Sequence, residues 1–302
     1  MSKKLEGMMF SKVDQGVLFM LISALISALN GAIAKVLSED ISALEIVFYR
    51  NIIGVIFILA MLRHTPTKLP GGKLHLLLLR GFLGFSAMIL FFYTITTIPL
   101  GVAITLNKTS PLFVTILAYF LLKERLSPTG FLALAVGFLG VALITKPLGL
   151  AFSYEHFLGL MGGFLAAAAY TTIKKIKHLY DARVIVLSFM GMGATMPLFL
   201  FLLAPYIQAP IFLQFLFPEF IWNLSALTWS LILAMGVIST LSQYLLTRAY
   251  SASKAGIIGV ISYTNIPFAI GFGYMLGDAF PDFWSFCGIG LIVLGGLLVK
   301  KG

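Results

Sequence analysis

Cysteine, histidine and acidic side chains are all scarce in this 302-residue chain, and each shortage removes a class of function. The single cysteine, Cys287, falls inside the last apolar run, so there is no disulfide framework and no thiolate metal cluster. The four histidines (His64, His75, His156 and His178) sit at the ends of apolar runs with no ligand spacing, so neither a metal site nor a cofactor is expected. No phosphate-cradling G-x-x-x-x-G-K-[ST] loop occurs, which argues against an ATP-driven pump. Charged residues make up only 11% of the chain and hydrophobic ones 60%, against about 25% and about 45–50% in soluble domains. A soluble fold is thereby excluded, and a polytopic membrane protein is expected.

What is present is a series of long apolar runs. At roughly 20 residues per crossing, the chain accommodates ten spans, at 14–37, 44–62, 74–97, 100–122 and 127–145, then 156–174, 183–204, 226–249, 254–277 and 282–299. The first is too long, and too closely followed by Glu39 and Asp40, for a cleaved leader, and is read as a retained span. Pro66 with Pro70-Gly71-Gly72, Pro99, and Ser127-Pro128 mark the turns. The segment Pro205 to Asn223 is the longest outer loop, and its proline and aromatic content suits the headgroup region.

The formal charge of +10 is a matter of topology. In a ten-span arrangement with the N-terminus inside, every basic residue except Lys35, Arg50, Arg80, Lys108 and Lys146 falls at a cytoplasmic end. That is the positive-inside bias of membrane proteins, and it gives no sign of nucleic acid as a partner.

Two stretches repeat each other. Asn107 to Lys146 and Ser262 to Lys301 each run from polar residues through a proline (Pro111 or Pro267), an apolar span, a charged hinge and a Gly-rich span. The first hinge is basic overall (Lys123, Glu124, Arg125) and the second acidic (Asp278, Asp282), so the copies are expected to lie in opposite orientations. The expected fold is therefore all-α, with ten transmembrane helices as two inverted five-helix repeats. Residues 1–146 form one and residues 147–302 the other, with both termini cytoplasmic. Inverted repeats of this kind are the architecture of secondary transporters, whose site lies between the repeats near the bilayer midplane.

The pieces SALNGAIAK (from Ser27), LEIVFYRNIIG (from Leu44), RGFLGF (from Arg80), FFYTITTIPLG (from Phe91), and TSPLF with LLKERLSP (from Thr109) resemble the EamA-type families of the drug/metabolite transporter superfamily. The second half resembles them more loosely, with Asp278 where such repeats carry glutamate and a proline-to-acid spacing two residues shorter. The resemblance implies a ten-helix transporter of small organic metabolites in a bacterial inner membrane, working by alternating access as a monomer or homodimer. It names no substrate.

An ionisable group inside a span costs about 2.5–3.5 kcal/mol on insertion scales and needs a partner or a role. Lys108 lies about 12 Å below the outer end of its span, three residues before Pro111, and shares a helical face with Thr105, Thr115 and Tyr119. It reads either as a substrate or gate contact or as a snorkelling cation. Glu45 and Arg50 are too far apart around their helix to pair directly, and each is either a structural partner to a neighbouring helix or a substrate anchor. Asn107, Tyr263 and Asn265 precede the two prolines at matching depths, where helices become irregular. Asn30 and Lys35 continue a small polar stripe on the first span, and Gln243 belongs to one on the eighth; both read as ligand contacts or as helix–helix glue. Arg80 is near enough to the cytoplasmic face to snorkel, and Tyr93 either walls a cavity or joins an aromatic belt. The cations outnumber the single intramembrane acid, Glu45, which favours anionic or zwitterionic solutes. An integral-membrane enzyme or a non-transporting subunit is the alternative, without the constellation or soluble domain either would need.

Overall fold

In a computed structural model, residues 2–67, 69–122, 128–145, 153–253, 258 and 261–299 are described, and among them there is helix but no strand. The hinge at Lys123–Arg125 lies outside the described residues. The elements are α1 (Ser2–Leu37), α2 (Ala43–His64), α3 (Leu74–Thr97), α4 (Leu100–Asn107), α5 (Ser110–Leu122) and α6 (Pro128–Thr145). They continue with α7 (Tyr154–Ile176), α8 (Ala182–Leu203), α9 (Ala226–Ala252), α10 (Asn265–Met275) and α11 (Phe283–Val299). Six of these are long and apolar enough to cross a bilayer, namely α1 from Gln15, α2, α3, α7, α8 and α9, and α6 and α11 are shorter apolar helices.

Two expected spans are interrupted. The fourth divides into α4 and α5 at Lys108–Thr109, where the ladder tightens to three-residue bonds from Thr109 N–H to the Leu106 carbonyl (3.1 Å) and Leu112 N–H to Thr109 (2.9 Å). Pro111, which has no N–H to give, then sits in the first turn of α5, where none is needed. The same local structure recurs before α10. Thr264 N–H reaches Ile261 (3.1 Å), Ile266 N–H reaches Tyr263 (2.9 Å), and both threonine hydroxyls, Thr109 and Thr264, donate to the carbonyl three residues back. The break interrupts the expected stripe of Thr105, Lys108, Thr115 and Tyr119 at Lys108; the Thr115 side chain lies outside what the structure describes. Thr105 turns its hydroxyl to the Gly101 carbonyl, and Tyr119 is exposed on the bundle's outside.

The helices pack in matched pairs. α1 lies along α9 as α3 lies along α7; α2 meets α9 as α3 meets α8; α2 faces α8, α4 faces α10, and α6 faces α11. Glycines let several of these backbones approach closely. A Cβ on Gly81 would sit 2.5 Å from the Ser188 carbonyl oxygen, and one on Gly236 would sit 2.6 Å from the Ile53 side chain. The α6–α11 seam is reciprocal: a Cβ on Gly140 would stand 2.5 Å from the Gly288 oxygen, and one on Gly288 would stand 2.6 Å from the Gly140 oxygen.

The 204–225 connection is aromatic, with short 3₁₀ turns at Ala204–Tyr206 and Ile211–Leu216. It is fastened by Phe215 stacked on Tyr93 (centroids 4.3 Å apart) and by Phe220, wedged among Phe48, Tyr49 and Phe201.

Candidate functional site

A cavity of about 80 Å³ lies between the two halves of the bundle, walled by α1, α2, α3, α4, α7, α8, α9 and the start of α10. Its charged lining is of one sign. Arg50 from α2, Arg80 from α3 and Lys108 at the α4–α5 break all reach it, and among the described residues no acidic one does. Asn30, Asn107, Gln243 and Asn265 supply amides, and Tyr170 a phenol.

Each arginine is held by soft contacts. The Arg50 guanidinium lies 5.1 Å from the Phe92 ring centroid, and its Nη1 donates to the Met88 sulfur at 2.9 Å. Arg80, 1% exposed, lies 5.0 Å from the Phe189 ring. It runs forward along its own helix over Gly84, where a Cβ would collide with its Nη1. Arg50 Nε and Arg80 Nε and Nη1 have no hydrogen-bond partner, and none of the three cations is in an ion pair among the described residues. A cation–π contact is worth about 0.5–2 kcal/mol, less than the insertion cost of about 2.5–3.5 kcal/mol. Without a further partner the balance stays unfavourable, and a bound anion would supply one.

The amides are partly committed. Asn265 Nδ2 donates to the Ala24 carbonyl at 2.5 Å, tying α10 to α1, while the Asn30 Oδ1 is buried without a partner. Ser23 and Ser242 bond across α1 and α9 (Oγ to the Ser242 carbonyl, 2.8 Å) beside the cavity.

Four residues singled out from sequence lie away from this cavity. Glu45, 0% exposed, is occupied at the start of α2. One carboxylate oxygen accepts from Ser42 N–H (2.9 Å) and Ser42 Oγ (2.8 Å), and the other accepts from Ile221 N–H at 2.7 Å. Ser42 and Glu45 thus form a capping box, and the carboxylate also anchors the long aromatic connection. Tyr93 is taken up by its stack with Phe215. Lys35 is ion-paired with Asp278 at the end of α1. Tyr263 is buried at the second break with its hydroxyl unpartnered among the described residues. Pro111 and Pro267 flank the two breaks without lining the cavity. Sequence reasoning passed over Tyr170, Met88 and Phe189; of these, only Tyr170 carried a signal, ending the alanine run Ala166–Ala169 that brings α7 close. Among the described residues no group of acidic, histidine and cysteine side chains could hold a metal ion.

A family model described as the EamA-like transporter family matches residues 14–146. An uncharacterized transporter of Helicobacter pylori is 32% identical, covering 94% of each chain. The pseudopaline exporter of Pseudomonas aeruginosa is 30% identical over 97% of this chain and 99% of its own. The riboflavin transporter of Vibrio cholerae is 25% identical over 93% of this chain and 91% of its own. A solved crystal structure superposes with a TM-score of 0.63 over 96% of both chains at 16% identity, a likeness of fold alone. The chain is thus a multi-pass membrane transport protein and belongs to the EamA-like transporter family.

Proposed function

We propose that this protein is a secondary transporter that moves a small anionic or zwitterionic organic metabolite across the cytoplasmic membrane by alternating access, and that the tricationic cavity is its solute site. The observation that carries the reading is Arg50, Arg80 and Lys108 converging on one cavity with no acid among its lining residues. At an effective dielectric of about 20, a unit anion about 4 Å from one such cation gains about 4 kcal/mol. An anionic group among the three therefore offsets what the phenylalanine contacts leave uncompensated.

The matched packing supports two inverted five-helix repeats, residues 1–146 and 147–302. Exchanging the halves turns α1–α9 into α7–α3 and α2–α9 into α8–α3, and carries α2–α8, α4–α10 and α6–α11 onto themselves. With the basic bias of the loops, this favours cytoplasmic termini, and in such an arrangement the two helix breaks would meet at the interface of the repeats, where transporter sites lie. The solute would be held by the arginines of α2 and α3 and by Lys108 at the α4–α5 break. Asn107 and Gln243 would satisfy its neutral polar groups.

The test is counterflow in proteoliposomes against a panel of anionic and zwitterionic metabolites, found first by thermal shift of the purified protein. Lys108→Gln is expected to abolish counterflow of any solute so found without lowering the melting temperature of the solute-free protein. Undiminished transport by that variant would refute the site.

A further inference from the structure

One carboxylate ties together three of the elements that wall the cavity. Gly277, with φ +90°, ends α10 in a left-handed turn, in which Asp278 N–H donates to the Gly273 carbonyl at 2.9 Å. The turn delivers the Asp278 side chain into the bundle. One of its oxygens pairs with the Lys35 ammonium at the end of α1; the other accepts the Leu100 N–H, the first amide of α4, at 2.8 Å. The site is tight: a Cβ on Gly273 would stand 2.7 Å from that second oxygen. Each tied element carries a cavity residue farther along: Asn30 on α1, Asn107 on α4 and Asn265 on α10.

Beyond the carboxylate is a second open space. A cleft of about 250 Å³ is lined by Pro99, Gly101 and Val102 on one side, and by Ile270, Gly273, Asp278 itself and Asp282 on the other. The cleft and the cavity lie along one seam, between α4 and α10. On α4 the cleft ends at Val102 and the cavity begins at Ile104; on α10 the cleft reaches Ile270 and the cavity Asn265. What separates them is one closed layer. Gly101 there approaches Ile270 so nearly that a Cβ would meet its Cγ1 at 2.7 Å, and Leu100, Ile266 and Ala269 are fully or almost fully buried.

We propose that this seam is the solute's route, that the outer cleft is its vestibule, and that Asp278, by holding Lys35 and the Leu100 amide at once, is the gating residue that keeps the route shut at that end. Opening it requires the carboxylate to release both partners, which frees α4 to swing. Since α4 ends at Asn107 and Lys108, the gate and the solute site are the two ends of one eight-residue lever. The inference rests on the transport reading, but its test needs no solute.

In a Cys287→Ser background, Ser27→Cys places one thiol in the cavity, and its labelling by an impermeant anionic methanethiosulfonate is timed from each side of the membrane. The Asp278→Asn variant keeps an acceptor for Leu100 but loses the ion pair; Asp278→Ala loses both. Labelling through the vestibule is expected to rise about tenfold for Asp278→Ala, the effect of about 1.4 kcal/mol on the open–closed balance. Asp278→Asn should fall between the alanine variant and the parent. Labelling from the opposite side should decline in the same order, because one population gains at the other's expense. A rise from both sides would show general loosening and overturn the gate, as would no change from either. Failure of the transport reading looks different: the labelling shifts as stated, yet no anion undergoes counterflow.

Discussion

Replacing Glu45 tests whether a buried carboxylate in this membrane protein serves its fold or its solute. The group accepts two backbone amides, Ser42 and Ile221, together with the Ser42 hydroxyl, and faces no cation among the described residues. Hydrogen bonds to a charged acceptor are worth about 1.5–3 kcal/mol each. Ile221 is itself 40% exposed, so water takes up part of the loss and the lower figure applies. Losing both amide bonds in Glu45→Ala then costs about 3 kcal/mol. At about 2–4 °C per kcal/mol, the apparent melting temperature in detergent falls by about 6–12 °C. Glu45→Gln keeps an oxygen for Ile221 but turns an amide donor toward the Ser42 N–H, so it should fall about half as far. The assay is thermal unfolding of the purified variants, paired with solute-induced shifts. Both variants are expected to keep the solute-induced shift, because the carboxylate is not in the cavity wall. A Glu45→Ala protein melting with the parent, or a Glu45→Gln protein that folds but no longer senses solute, would refute the reasoning.

Two further outcomes are expected. Gly140→Ala forces apart backbones that now touch, since its Cβ would meet the Gly288 oxygen at 2.5 Å and the Ile292 nitrogen at 2.9 Å. Overpacking of this kind costs about 1–3 kcal/mol, read as a lower melting temperature, whereas Gly191→Ala, with open space around it, should show no such loss. Asp181 caps α8, and its hydrogen bonds from Arg183 hold its carboxyl below the ordinary carboxylate range. A depressed value contributes stability that is present above the unfolded value and lost as pH falls through the folded one. The melting deficit of Asp181→Asn should therefore be steady at neutral pH and close below about pH 4.

The apolar runs were legible because insertion depends on hydropathy summed over a span, and that sum can be read locally. The cations of the cavity were legible as a set, since a charge in a span is conspicuous wherever it points. Which charges converge was not, because that depends on how helices pack at long range. Lys35 and Arg50 look alike in sequence, yet one meets Asp278 from 243 positions away and the other meets Met88 and Phe92. Glu45 is a different lesson. Its role was written locally in Ser42-Ala43-Leu44-Glu45, a capping-box spacing at the head of a span, and attention to its charge hid it. Tyr93 was ambiguous for a physical reason: an aromatic near a span's end serves a cavity wall and an interfacial stack equally well, and only the fold brings Phe215 onto its ring.

The reciprocal glycine seam bears on how the protein is made. Helix α6 ends at Thr145 and α11 begins at Phe283, so 283 − 145 = 138 positions separate the two surfaces. At about 5–20 residues per second, α6 waits on the order of ten seconds before α11 exists, with its Gly140 groove uncovered. The contact that joins the ends of the two halves is thus the last one synthesis permits. Until then Gly140 is a hydrophobic notch open to any other helix in the membrane, which leaves α6 exposed to mispairing and to quality control.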